Sequence, residues 1–345
     1  MTADQVIDSM KGSIFAQYPG YVFAPVMLIA ASFIVLSLKA IRGEKQDFTI
    51  WALFNHTFAV ERWRCRSAIV DVFLYLANRL IPAFSTSVIV FFIAGILLWG
   101  LSGTGWNADA ANPGPGAIVT MAVLLVVLLD FGDYLAHRAL HRIPVLWELH
   151  KVHHSATFLS PVTSFRVHPL ESLVYTVCHS VVLAPAVGVL SFFYRIGPVT
   201  LIDLMFTTNI IVIVLTLNHL KHSHFQISLG YLDYVIISPH MHQLHHSVRL
   251  EHWDKNLGVI FSLWDWAFGT AVREDTAIPV VYGIGRGPVE DARYLTFYGV
   301  FLRPLVNMGL LATGRISAEK KPGAENEPPP AQPAMPLRLR AEDTP

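Results

Sequence analysis

Apolar and polar residues follow one another along this chain in long blocks. Tyr21 to Ile41, the stretch 83–101, Leu170 to Leu190 and Val199 to Leu217 are apolar over about the 20 residues that a helix needs to cross a hydrocarbon core. Ala117 to Leu129 begins a further block that runs on through Asp130 and Asp133. Backbone groups in hydrocarbon must satisfy one another, so each block predicts a helix. The last two are joined through Arg195, Gly197 and Pro198 and predict a helical hairpin. Residues 68–82 are apolar but interrupted by Asp71 and Arg79, which predicts an amphipathic or interfacial helix ending at Pro82. Phe297 to Leu311 is apolar but too short to span, and predicts a second interfacial helix. From Gly314 the chain is rich in proline, glutamate, lysine and alanine, includes Pro328, Pro329 and Pro330, and is expected to be disordered.

Composition agrees with the blocks. The 345 residues are 53% hydrophobic and only 14% charged, with a mean hydropathy of +0.47, whereas a soluble domain carries about 25% charged residues. The balance is that of an all-α integral membrane protein. A net charge of zero offers nucleic acid no basic surface. Cys65 and Cys178 make neither a disulfide framework nor a metal knuckle. The first 20 residues lack a basic segment followed by a cleavage site, so a signal peptide is not expected.

Charge asymmetry sets the expected topology. The loop 39–67 carries Lys39, Arg42, Lys45, Arg62, Arg64 and Arg66, whereas the loop 102–116 has neither lysine nor arginine. The positive-inside rule places the first in the cytoplasm and the second outside. About five spans then put 137–169 and everything after 218 on the cytoplasmic side.

Those two polar regions hold the chemistry. Twelve of the 16 histidines lie in two windows, His137 to His154 and His219 to His246. His137 and His141 are spaced i, i+4. His150, His153 and His154 are spaced i, i+3, i+4, as are His242, His245 and His246, so on a helix each set lies on one face. A face of neutral imidazoles suits a first-row transition metal, and eight or more are too many for one ion. Two metals are expected. Isolated histidines carry no such signal: His56, His179 and His252 read as interfacial side chains, and His168 as a structural group or a support for a ligand.

At these residues the chain resembles the fatty acid hydroxylase/sterol desaturase superfamily of membrane di-iron oxygenases. The resemblance rests on Asp130 through His141 (D-x6-HR-x2-H), on Leu146 through Ser155 (LW-x2-H-x2-HHS) and on Pro239 through Ser247 (P-x2-H-x2-HHS). It extends to Asp254, Asn256 and Gly258 (DxNxG) and to Trp264 through Thr270 (WDxxFGT), covering roughly residues 85–271. A looser element runs from Asn218 through His224. There the histidine before a small hydroxyl residue matches His222. Asn218 stands where some members have a further ligand, which makes His219 the replacement candidate, with His224 behind it.

The resemblance implies two iron ions held by His137, His141, His150, His153, His154, His219, His222, His242, His245 and His246. Asp130, Asp133, His168, Glu171, Asn218, Asp254 and Asn256 are expected to support those ligands. It also implies dioxygen as co-substrate, a fatty acyl, sterol or other isoprenoid lipid as substrate, and C–H hydroxylation, with desaturation at the same site as the alternative. Electrons would come from a separate cytochrome b5-like or ferredoxin-like donor. The site would face the cytoplasm of a bacterial inner membrane, or of the endoplasmic reticulum in a eukaryote. The expected organisation is an N-terminal segment 1–82, a catalytic domain 83–271 with a histidine-rich helical cap, an interfacial segment 272–313 and a tail 314–345. A histidine-lined metal transporter is the competing class, although it would place ligands in mid-span rather than at span ends. A membrane zinc protease would need HExxH, which the sequence lacks.

Overall fold

The computed structural model describes residues 49–58, 65–80, 114–194, 218–285 and 288–317, with Trp63 and a few helical positions at 29–37 and 204–212. The expected span 83–101 and the tail after residue 317 lie outside the described residues. So do most of the expected spans Tyr21–Ile41 and Val199–Leu217 and of the loop 102–116. Among the described residues the protein is helical, and pairing of β type is limited to two isolated bridges, Ile236 with Phe261 and Ser247 with Tyr282.

Two N-terminal helices, α1 (Ile50–Phe58) and α2 (Arg66–Leu80), precede the longest helix, α3 (Pro115–Arg142). The first half of α3 is almost wholly aliphatic. Its second half carries Asp130, Asp133, His137 and His141, three and four residues apart, which places them along one stripe. Thus one helix is both apolar block and first histidine motif. It ends at Ile143, which is extended, as the residue before a proline prefers, and Pro144 opens α4 (Pro144–His154). That one-residue joint turns His150 and His154 back against His137 and His141.

A 3₁₀ turn (Pro161–Phe165) leads to α5 (Glu171–Tyr194), which packs along α3. Met121, Ala122 and Leu125 of α3 close on Leu183 of α5 and on Leu204. Residues Gly116–Arg142 and Glu171–Val189 are long and apolar enough to cross a membrane. Val119, Val123, Leu124, Val177 and Val181 remain exposed on them, as lipid-facing side chains would.

The rest forms a cap of short elements: α6 (Asn218–Lys221), α7 (Pro239–His245), α8 (Leu263–Ala267), α9 (Pro288–Arg293) and α10 (Arg303–Ala312). With the preceding π turn, the last of these gives an apolar helical run of 15 residues, too short to span. Val70 and Leu74 of α2, Val152 of α4, and Ile284, Tyr294 and Val300 form a second core under the cap.

Asp71, one of the two residues that interrupt the apolar stretch of α2, is paired within the fold. It is fully buried and 2.9 Å from the equally buried guanidinium of Arg166. Arg166 donates further to the carbonyl of Val152 and to the hydroxyl of Ser155. Ile69, Val72, Phe73 and Leu76 face outward instead. A buried charge pair needs this density of hydrogen bonds to offset its desolvation.

Candidate metal centre

Nine imidazoles gather under the cap in two groups. His137, His141, His150, His154 and His245 form one, and His153, His222, His242 and His246 the other; within each, one ring nitrogen per residue lies within 4.8 Å of all the rest. Each expected triple divides between the groups. His150 and His154, a full turn apart on α4, face the first group, and His153 faces the second. On the other side His245 joins the first group while His242 and His246 join the second. The rings of His154 and His246 stack 4.6 Å apart where the groups meet.

The inward atoms are Nε2. His137 Nε2 and His150 Nε2 stand 3.1 Å apart, and in the second group His222 Nε2 is 3.2 Å from that of His153 and 3.0 Å from that of His242. His246 Nε2 is 3.2 Å from His242 Nε2. Nitrogens each about 2.1 Å from one cation and at right angles around it lie about 3.0 Å apart. The Nε2 atoms of His154 and His245 are buried without a hydrogen-bond partner, which bound metal would supply. Desolvation first, and neighbouring imidazoles next, hold His150, His153, His154, His242, His245 and His246 well below the usual 6.5. They are therefore neutral, which is the form that binds metal. Imidazole donors in groups of four and five fit two first-row transition metals, iron among them.

Several outward Nδ1 atoms are fixed by hydrogen bonds, and one loop reaches three rings of the first group. His245 donates to the carbonyl of Lys255 at 2.8 Å and His137 to that of Leu257 at 2.7 Å, while the Asp254 carboxylate lies 3.6 Å from His141 Nδ1. Asp254 and Asn256 adopt left-handed backbone with φ of 56° and 53°, a conformation that Asx residues tolerate. Asp265 holds the loop by accepting from the amides of Leu257 and Gly258, both at 2.8 Å, and from the Thr270 hydroxyl at 2.6 Å. A Cβ on Gly258 would come within 2.4 Å of the Phe261 carbonyl, so a glycine is needed there. Two further rings have partners elsewhere. His150 donates to Glu171 Oε1 at 2.9 Å and His153 to the Arg166 carbonyl at 3.3 Å.

Several expected supporting residues act differently. Asn256 touches no imidazole; it clamps the loop by donating to the carbonyls of Met241 and Val272 and accepting from the Val272 amide. Asp130 accepts from the amides of Ile260 and Phe261 and from Trp264, pinning α3 to the cap. Asp133 bonds His179 across the α3–α5 interface at 2.7 Å. His168 donates to the Phe301 carbonyl. In each case a backbone N–H or C=O, or a residue distant in sequence, offered a better-placed partner than the ligand rings.

His222 stands just past α6 and belongs to the second group. His224 belongs to neither group and packs against His56 and Phe225. The side chains of Asn218 and His219 lie outside the described residues. Gln243, to which the sequence reading gave no role, donates to the carbonyls of Ser223 and Phe225 and so ties the His222 turn to α7. Its place between His242 and His245 was the available signal. A third set of possible ligands, Glu251, His252 and Glu274, has both carboxylates engaged by Arg249.

The centre has two approaches. A recess of about 240 Å³, bordered by Arg142, Trp147, Trp253 and Asp254, reaches His141, His154 and His245 of the first group. A cavity of about 330 Å³ reaches both groups and is bounded by residues of the two long apolar helices.

Comparison with known proteins agrees with these motifs. The fatty acid hydroxylase family profile matches residues 122–270. An ornithine lipid hydroxylase, OlsE, of Rhizobium tropici is 30% identical over 148 residues, 43% of this chain and 40% of its own length. An alkylglycerol monooxygenase of Caenorhabditis elegans is 26% identical over 45% of this chain and 28% of its own length. A very-long-chain aldehyde decarbonylase, GL1-6, of Oryza sativa subsp. indica is 28% identical over 45% of this chain and 23% of its own length. The chain thus spans less than half the length of each of these relatives. No solved structure matches it.

Proposed function

Because this chain belongs, through residues 122–270, to the fatty acid hydroxylase/sterol desaturase superfamily, we propose that it is a membrane di-iron oxygenase that hydroxylates a C–H bond of a lipid. The observation that carries the reading is the pair of imidazole groups, nine rings with their ring nitrogens converging, beside a cavity bounded by two apolar helices. His137, His141, His150, His154 and His245 would hold one iron, and His153, His222, His242 and His246 the other, with His219 as a further ligand of the second. Iron held there supplies activation of dioxygen and removal of hydrogen from an unactivated carbon, which no acid or base side chain can perform.

The protein's own part is positional. The loop 254–258 and Glu171 hold imidazoles of the first group in one tautomer, with Nε2 free for metal. The cavity admits the lipid from between α3 and α5, so the reacting carbon meets the rings without crossing water. Hydroxylation places one oxygen atom of O2 in the product and releases the other as water, using two electrons and two protons. A separate donor, cytochrome b5-like or ferredoxin-like, would deliver the electrons. The basic loop 39–67 supports a cytoplasmic location for the site and a multi-pass topology of about five spans.

The test joins metal content to product mass. Purified protein should carry close to two irons per chain, and cells expressing it should gain a lipid heavier by one oxygen. A lipid lighter by two hydrogens would assign desaturation to the same site. Loss of neither iron nor product on replacing His154 and His246 would overturn the reading.

A further inference from the structure

Away from the histidines, the cap carries an exposed apolar face beside α3. Tyr231, Leu232 and Tyr234 of the 3₁₀ turn Gly230–Tyr234 are exposed, Tyr231 to 91%. So are Leu263 and Trp266 of α8 and Phe268 just after it. The rings of Tyr234 and Trp266 stack 4.9 Å apart, which joins the turn and α8 in one patch. The guanidinium of Arg273 lies over the Tyr234 ring at 4.7 Å, and that of Arg138 over Phe268 at 5.7 Å. A contiguous apolar face of this kind marks contact with another body rather than with water.

The fold fixes the level of the patch. Phe268 stacks on Tyr134 of α3 at 5.4 Å, and Trp264 packs on Phe131 at 4.7 Å, so α8 is seated on the turn of α3 from Phe131 to Tyr134. A hydrocarbon core of about 30 Å takes about 20 residues of helix at about 1.5 Å each. Counted from Gly116, where the apolar stretch begins, that length ends near Leu135. The patch therefore stands at the end of the span, where acyl chains meet headgroups. Tyrosine and tryptophan, each an apolar ring with a polar atom, collect at that depth, and arginine anchors there.

We propose that this face rests in the headgroup layer of a phospholipid bilayer and anchors the cap to it, as a third contact beside the two interfacial helices that the sequence predicts. Asp133 and His137, which line the cavity of about 330 Å³, flank Tyr134 on α3, so seating the patch also sets the depth of that cavity. The inference rests on the membrane reading above, since α3 must span for the patch to reach this level. A second copy of the chain is the rival occupant; the position at the end of the span and the tyrosine, tryptophan and arginine of the patch favour lipid.

The experiment places one nitroxide label at a time on the full chain in a phospholipid nanodisc, in a Cys65→Ala/Cys178→Ala background. Tyr231→Cys and Trp266→Cys report the patch, and Val123→Cys the apolar half of α3. Ile143→Cys reports the far end of α3, about 12 Å of helix beyond Leu135. Collision with oxygen, which concentrates in lipid, is compared with collision with a water-soluble nickel chelate. The oxygen-to-nickel ratio at Tyr231 and Trp266 should lie well above that at Ile143 and toward that at Val123. With Val123 in lipid, a ratio at the patch no higher than at Ile143 overturns the proposal alone, as does dipolar broadening between labels of two copies. A water-like ratio at Val123 overturns the membrane reading and this proposal with it. Should either patch variant not fold, Leu263→Cys in the same patch replaces it under the same criterion.

Discussion

His137 Nδ1 donates to the backbone carbonyl of Leu257 at 2.7 Å, across 120 residues of sequence. The amide of the same Leu257 is held by Asp265 at 2.8 Å. A carboxylate that touches no histidine thereby sets the direction in which a metal-facing ring points.

Replacing Asp265 with asparagine should therefore act on the metal from a distance. An amide in its place turns one acceptor into a donor, facing the amide of Leu257 or of Gly258. The expected result is metal affinity lowered about 10- to 100-fold with helical content preserved. Titration with iron(II) alongside circular dichroism measures both, and undiminished affinity would sink the argument.

The division of each triple predicts stoichiometry. His154→Ala or His245→Ala should reduce bound iron from about two per chain toward one, and His242→Ala or His246→Ala should remove the other ion. Two variants within one group should be strongly non-additive, and two across groups more nearly additive. His222→Ala should lose iron, whereas His224→Ala should keep it. Iron analysis of the single and double variants checks the pattern, which random loss across groups would contradict.

The buried imidazoles predict how the metal-free chain responds to pH. His150, His153, His154, His242, His245 and His246 are held well below 6.5 by burial, and in the unfolded chain they protonate near 6.5. The unfolded state then binds more protons below that pH. Stability is present above about 6.5 and is lost progressively as pH falls through and below it. The melting temperature of the metal-free protein should drop steeply from about pH 7 to pH 5, and a flat profile there would refute the mechanism.

Asp71 and Arg166 test the cap itself. Removing one partner of this fully buried pair, as in Asp71→Ala, leaves an uncompensated charge and should cost about 3–5 kcal/mol. Replacing both by apolar residues should cost less. Chemical denaturation of the three variants measures the difference, and equal costs would show that the pairing is not what matters.

Topology follows from charge alone and is open to labelling. A cysteine at Thr104 should react with an impermeant thiol reagent in intact cells, whereas one at Ala318 should be protected until the membrane is opened. The reverse pattern would invert the assignment of faces.

The sequence by itself determined the helical class, the apolar blocks beginning at Ala117 and at Leu170, and the histidine motifs from which the structure brings nine imidazoles together. Those features are local: hydropathy over about 20 residues and imidazoles spaced one turn apart are written in consecutive positions. Glu171 was expected to support an imidazole, and the structure supplies His150 as its partner. What the tertiary structure decided was pairing at long range. It divided each triple between two groups, because neighbours at i+3 and i+4 diverge around the helix enough to face different centres. It gave the orienting role to the carbonyls of Lys255 and Leu257, since backbone acceptors carry no signature in side-chain sequence. It buried Asp71, read in sequence as a polar interruption of an apolar stretch, against Arg166, and joined Asp133, expected to support a ligand, to His179, read as an isolated interfacial side chain. A lone charge in an apolar stretch reveals its purpose only when the fold brings its partner alongside.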